Sequence, residues 1–177
     1  MDKKILLYGF EGNRFENIKN LATEYDFEIT YADEKDLNKR IGEIFTVKYT
    51  EEEDKIYNGE NVETEFILFS DFDRNLLRKF LTDLRIREIL VDHKSVITKH
   101  TVNWELGYLI SHIIDEHQVV TAAEELNALM RQAREYLNEE ENEKVQEAVD
   151  YALTLNQKMD VKLEDIHDRI KKLEEAL

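Results

Sequence analysis

The sequence predicts an α/β domain over residues 1–118, built on a small, mainly parallel four-stranded sheet with flanking helices in βαβαβαβα order, and an all-helical extension over 119–177. Three observations carry this. Short apolar runs alternate with amphipathic segments through the first 107 residues, the rhythm of a parallel sheet with crossover helices. All five glycines (9, 12, 42, 59 and 107) lie in that stretch and proline is absent throughout, so the last 70 residues lack the strongest helix breakers. In that last part, apolar residues recur at steps of three and four, the narrow seam of helices that pack on helices.

The strands follow from the apolar runs 4-KILLYGF-10, 27-FEITYA-32, 65-EFILFS-70 and 86-IREILV-91. Between the first two, Phe15, Ile18, Leu21, Ala22 and Tyr25 share one helical face, which predicts a helix over 14–25. A short helix over 34–44 and a third over 74–84, with Leu76, Leu77, Phe80 and Leu84 inward, complete the alternation. Helix starts are signalled by side chains able to cap first-turn amides: Asn13-x-x-Glu16, Asp33-x-x-Asp36 and Thr121-x-x-Glu124, with Ser70, Asp71, Asp73, Asn138 and Asp160 as further caps. The polar insertion 46–64, with four consecutive acids at 51–54 and the turn dipeptide Asn58-Gly59, reads as a solvated loop or small hairpin, with a lid as the alternative.

In the extension, Leu163, Ile166, Ile170, Leu173 and Leu177 form one seam, Val145, Ala148, Val149, Ala152, Leu155 and Met159 a second, and Leu126, Leu129, Met130, Ala133 and Leu137 a third. Such seams pack on each other as a hairpin or three-helix unit, or on the same surface of a second subunit. A homo-oligomer, or a protein partner held through 119–177, is therefore expected.

Composition narrows the function classes. The net charge of −16 gives no footprint for nucleic acid or an anionic membrane, and both parts are acidic, with 25 Asp/Glu against 16 Lys/Arg in 1–120 and 15 against 8 in 121–177. Without cysteine there is no disulfide, no thiolate metal site and no thiol nucleophile. The N-terminus runs straight into a strand and no apolar run approaches a membrane span, so a soluble, cytoplasmic protein is expected, with no cofactor.

Ligands of open parallel sheets bind beyond the carboxyl ends of the strands. On the predicted topology that edge gathers Glu11 and Asn13 after the first strand, Asp71 and Asp73 after the third and His93 after the fourth, which are the candidate ligand-binding residues. The turn 8-YGFEGNRF-15 matches neither phosphate-binding glycine motif, and Glu11 would repel a phosphate. Asp71 and Asp73 with Glu11 resemble the acidic Mg²⁺ cluster of receiver domains, but no fifth strand delivers the lysine such a site needs, and capping explains them better. Glu105, His112 and Glu116 share one helical face, yet lack the partner spacing of a metal site and read as a solvated face.

The stretch 97-ITKHTVNWELG-107 holds the single Trp. Thr101 is placed to cap a helix whose buried stripe is Val102, Leu106, Leu109, Ile110 and Ile113, with Trp104 and Tyr108 as an aromatic pair at i, i+4. The ILLYGF first strand, the segment 66-FILFSDFDRNLLRKFLTDLR-85, and the turn carrying Thr98, Thr101, Asn103, Trp104 and Leu106 before a helix with Glu116 together resemble the bacterial family known as domain of unknown function 3783, over residues 4–117. That resemblance implies a loose link to amino-acid metabolism and no established reaction; Lys99 and His100 stand where the family usually has a Pro-Thr pair. The expected function is a non-enzymatic interaction or regulatory module that self-associates through its C-terminal helices. The alternative is a small-ligand binder or enzyme with its site at the strand ends.

Overall fold

The computed structural model describes residues 3–47, 54–59, 61–70 and 73–177. Along the chain run β1 (Lys4–Tyr8), α1 (Gly12–Glu24), β2 (Glu28–Ala32), a 3-10 turn (Glu34–Asp36), α2 (Ile41–Phe45), β3 (Phe66–Phe69), α3 (Arg74–Ile86), β4 (His93–Val96), α4 (Leu106–Glu139), α5 (Glu143–Leu153), a second 3-10 turn (Thr154–Gln157) and α6 (Leu163–Glu174). Two compact units divide at 114/115, inside α4: Met1–Ile114 and Asp115–Leu177.

The four strands of the first unit stand in the order β2-β1-β3-β4. The sheet is mixed, which corrects the mainly parallel expectation. β1 pairs parallel with β2 (Tyr8 opposite Ala32) and β3 parallel with β4 (Phe66 opposite His93), but β1 and β3 are antiparallel, with Tyr8 opposite Phe66 and Ile5 opposite Phe69. The cause lies between β2 and β3. The connection 33–65 is long enough for a crossover, but its described helix α2 covers only five residues and packs on the second core without carrying the chain to the other end of the sheet. The chain stays at the edge where β2 ended and enters β3 from there.

β1 and β3 are central strands buried on both faces, which is why they read as unbroken apolar runs. Ile5, Leu7, Ile67 and Phe69 face one core with α1 and α3, built around Ile18, Leu21, Phe80 and Leu84. Leu6, Tyr8, Phe66 and Leu68 face a second core with Leu37, Ile41 and Phe45 and the start of α4 (Leu106, Leu109, Ile110). β2 and β4 are edge strands with mixed polarity, as edges commonly are.

The fourth strand was expected at 86–91 and lies at His93–Val96 instead. Ile86 closes α3, and Ile89 and Val91 are buried in the first core from the connection, so their burial mimicked a strand. α1 and α3 end alike. Asp26 (φ 57°) and Glu88 (φ 58°) adopt the left-handed conformation, while the amides of Phe27 and Ile89 donate to the carbonyls of Ala22 and Leu84, both at 2.9 Å. Asp33 caps its 3-10 turn in a reciprocal box with Asp36, and Asp73 caps α3. Asn13 does not cap α1: it lies inside the first turn, after Glu11.

The insertion is no hairpin among its described residues. Tyr57 and Val62 pack on the second core, the Tyr57 amide donates to Glu105 Oε2 at 2.7 Å, and the Glu105 amide donates to the Lys55 carbonyl at 2.9 Å. A Cβ on Gly107 would stand 2.5 Å from the Tyr57 ring, so the second residue of α4 is a glycine because that ring lies against it. Gly107→Ala should expel Tyr57 and loosen residues 54–59; amide exchange there rising by about tenfold or more, with α1 and β1 unchanged, is the expected result. Unaltered exchange would mean that Tyr57 simply shifts.

The second unit is a helical assembly formed by the later turns of α4 with α5 and α6. Ala122, Leu126 and Ala133, Val145, Ala148, Val149 and Ala152, and Ile166, Ile170 and Leu173 bury one another. The three seams are thus spent within the chain, except that Met159 is fully exposed and Leu177 partly so. Thr121 lies in mid-helix rather than at a start, Asn138 lies inside α4, and Asn142 caps α5 through the amides of Lys144 and Val145. Arg169, 4% exposed, lies over the Tyr151 ring at 4.5 Å and donates to the Asp165 carbonyl and to Thr154 Oγ1.

Candidate functional site

Because β1 and β2 are parallel and β3 runs against them, one sheet edge brings together three segments: the turn after β1, the turn after β2 and the approach to β3. Between them lies an open cleft of about 780 Å3, lined by Tyr8, Gly9, Phe10, Glu11, Ala32, Asp33, Glu34, Lys35 and Val62 to Glu65. That volume falls within the range of small-molecule sites.

Each wall has a local cause. Gly9 turns the chain out of β1 with φ +73°, and a Cβ there would stand 2.0 Å from the Thr64 carbonyl oxygen, so the two segments touch backbone to backbone. Tyr8 is buried and its hydroxyl donates to the Val62 carbonyl at 2.8 Å, tying the β3 approach to β1. Thr64 Oγ1 lies 2.8 Å from His93 Nδ1, joining the start of β4 to the same wall.

The rim is acidic, but its acids differ. Glu65 is held by Arg14, whose Nε donates to Oε1 at 2.7 Å, and this hydrogen bond raises the Arg14 pKa further. Asp33 accepts from the Lys35 amide and stands 4.0 Å from its ammonium. Glu11, Glu34 and Glu63 are exposed and make no ion pair among the described residues. Their field is felt inside: burial, first, and the charge of Glu34, second, push the Tyr8 phenol above its ordinary value, with Asp33 adding to the shift.

Of the residues expected to form a site, Glu11 lines this cleft and His93 reaches it through Thr64. Asn13 is in α1 and not in the lining. Asp73 is at the opposite edge, because β3 ends beside the start of β1, where the Ser70 amide donates to the Lys4 carbonyl; its carboxylate accepts from the amides of Asn75 and Leu76. Asp71 lies outside the described residues. Reading the sequence missed Tyr8, Asp33, Glu34, Lys35, Glu63 and Thr64. The turn after β2 carried a signal, being a strand end on the parallel side; the approach to β3 carried none without the antiparallel pairing.

Elsewhere, Glu105 and His112 are engaged structurally. Glu105 accepts from the Tyr57 amide, and the His112 ring stacks on Tyr108 at 6.3 Å and meets Trp104 edge-on at 5.4 Å. Among the described residues, no group of three His, Cys, Asp or Glu is gathered to hold a metal ion. Thr101 caps no helix: with Thr98 it closes a four-residue turn, Thr98 N donating to Thr101 Oγ1 at 3.0 Å, and α4 begins five residues on. Trp104 packs partly buried on the second core, 5.1 Å from Tyr108.

The turn and helix just described, with β3, α3 and β4, are the part of the chain that compares with known proteins. Residues 65–120 match the family model described as Domain of unknown function (DUF3783). The DUF3783 segment holds every residue of the second and third motifs on which the sequence resemblance rests, from Phe66 to Glu116. It contributes Glu65 to the cleft, and the remaining walls come from outside it. No curated protein and no solved structure matches the chain. Among the described residues, no helix is long and apolar enough to cross a membrane.

Proposed function

We propose that the α/β unit binds a small amine-bearing ligand, of amino-acid size, in the cleft beyond the carboxyl ends of β1 and β2. One observation carries this reading: the cleft has an apolar floor of Tyr8, Phe10, Ala32 and Val62 under a rim where Glu11, Glu34 and Glu63 have no internal counter-ion among the described residues. An ammonium group placed there would neutralise carboxylates that otherwise repel each other, and a phosphate or nucleotide would meet the same field as repulsion. Lys35, whose ammonium stands 4.0 Å from Asp33 on the rim, would have to turn from that carboxylate to meet one at the ligand's other end. This agrees with the amino-acid link that the family resemblance implies, and with a cytoplasmic setting for a chain without cysteine. Self-association through the C-terminal seams is less favoured, since those seams are occupied within the chain.

A thermal-shift screen of amino acids, amines and nucleotides tests it. An amine-bearing ligand at a hundred times its Kd should stabilise the unit by about 2.7 kcal/mol, and Glu34→Gln with Glu63→Gln should weaken that binding about tenfold or more by removing two attractive charges. Stabilisation by nucleotides instead, or a hit indifferent to both substitutions, would sink the reading.

A further inference from the structure

Helix α3 is anomalous in charge. Over residues 74–87 it places Arg74, Arg78, Lys79, Arg85 and Arg87 against a single acid, Asp83, in a chain of net charge −16. Two of these cations are used locally: Arg87 pairs with Glu24, and Lys79 lies over the Tyr25 ring at 5.7 Å. Arg74, Arg78 and Arg85 make no ion pair among the described residues. They flank a shallow groove of about 320 Å3 whose floor is Leu77 and Leu81, with Thr82 on its rim. The positive field is strong enough to be felt in the sheet, where burial, first, and the charge of Arg85, second, lower the pKa of Lys94.

An arginine-flanked leucine groove along a helix fits the outer face of an acidic amphipathic helix. The chain itself carries one. The unit Asp115–Leu177 has 17 acidic residues against 8 basic. On the part of α4 within it, Val120 (55% exposed), Glu124 and Ala128 follow at i, i+4 and i+8 on an exposed stripe, with Glu125 beside them. Val120 to Ala128 spans about 12 Å, within the roughly 16 Å between Arg74 and Arg85 along α3. Two small apolar side chains meet the leucine floor while the glutamates meet the arginines.

We propose that this face of α3 docks a second copy of the chain through the Val120–Glu124–Ala128 stripe of its α4. This is independent of the cleft, which lies at the sheet edge and shares no residue with α3.

The test is a charge swap in the full chain. One variant carries Arg78→Glu and Arg85→Glu; the other carries Glu124→Arg and Glu125→Arg. All four sites are exposed, and circular dichroism checks that each variant keeps its fold. By sedimentation and light scattering, the unaltered chain should dimerise at low salt and dissociate near 1 M salt, where the Debye length falls to about 3 Å. Each variant alone should be monomeric, its dimer weakened by more than about a hundredfold because like charges now face each other. Mixed together they should dimerise again, since each reversed face then meets a complementary one. A chain that stays monomeric at low salt, a dimer insensitive to both variants, or a mixture that stays monomeric overturns the proposal. So does an α3 face that binds single-stranded RNA in place of a second copy.

Discussion

Gly9→Ala should lower the melting temperature of the α/β unit by about 10 °C or more, a loss near 3 kcal/mol. Two costs add. A non-glycine residue in the left-handed region costs about 1–2 kcal/mol, and here the new Cβ would also stand 2.0 Å from the Thr64 carbonyl oxygen and 2.9 Å from its carbon. Neither atom can rotate away, because both are backbone on the approach to β3, held where Tyr8 donates to Val62. Gly12 is the built-in control. It too has a positive φ, +55°, but nothing lies within 4 Å of its would-be Cβ, so Gly12→Ala should cost only the conformational part, about 1 kcal/mol. The difference between the two variants in thermal melts isolates the clash. Equal losses would mean that residues 62–65 yield freely, and that the cleft wall is soft.

Phe80→Ala should cost about 3–5 kcal/mol, the range for removing a large aromatic from a core. Phe80 is fully buried and meets Phe27 at 5.0 Å, Tyr25 edge-on at 5.3 Å and Phe69 edge-on at 5.9 Å. It is the one ring that α3 drives between α1, the chain entering β2 and the central strand β3, so truncation strips contacts from all of them at once. Denaturant unfolding followed by tyrosine fluorescence reads the loss. Phe80→Leu, which keeps most of the volume, should cost less than half as much. A drop below about 1 kcal/mol for the alanine variant would show that the cluster closes over the gap.

The parts of this fold that were legible in the sequence are those where one face of an element decides its place. β1 and β3 announce themselves as ILLY and FILF because both faces are buried, and α1 and α3 as amphipathic stripes because only one is. β4 was misplaced for the same physical reason: Ile89 and Val91 are apolar because the connection passes through the core, while the true strand, HKSV, is a polar edge. Strand direction was not legible at all. Nothing in Phe66–Phe69 distinguishes a parallel from an antiparallel neighbour, and the 33-residue connection before it is long enough for either; the expected helix over 34–44 is a 3-10 turn followed by the five-residue α2. The candidate site inherited this error. Glu11 follows β1 as expected, but His93 opens β4 instead of following the fourth strand, and Asp73 lies on the other side with the carboxyl end of β3.

The antiparallel joint between β1 and β3 has a further consequence. β1-α1-β2 and β3-α3-β4 are two copies of one arrangement, set head to tail about a pseudo-two-fold axis that passes between the central strands. Through the first strand and the helix the correspondence holds at an offset of 62 positions: Lys4 answers to Phe66, Gly12 to Arg74, Glu24 to Ile86, and the left-handed Asp26 to Glu88; the last strand follows three residues later in the second half, Glu28 answering to His93. Each half directs the carboxyl ends of its strands to its own side of the sheet: the acidic cleft lies beyond Tyr8 and Ala32, and at the other end the chain leaves Val96 into the turn of Thr98 and Thr101.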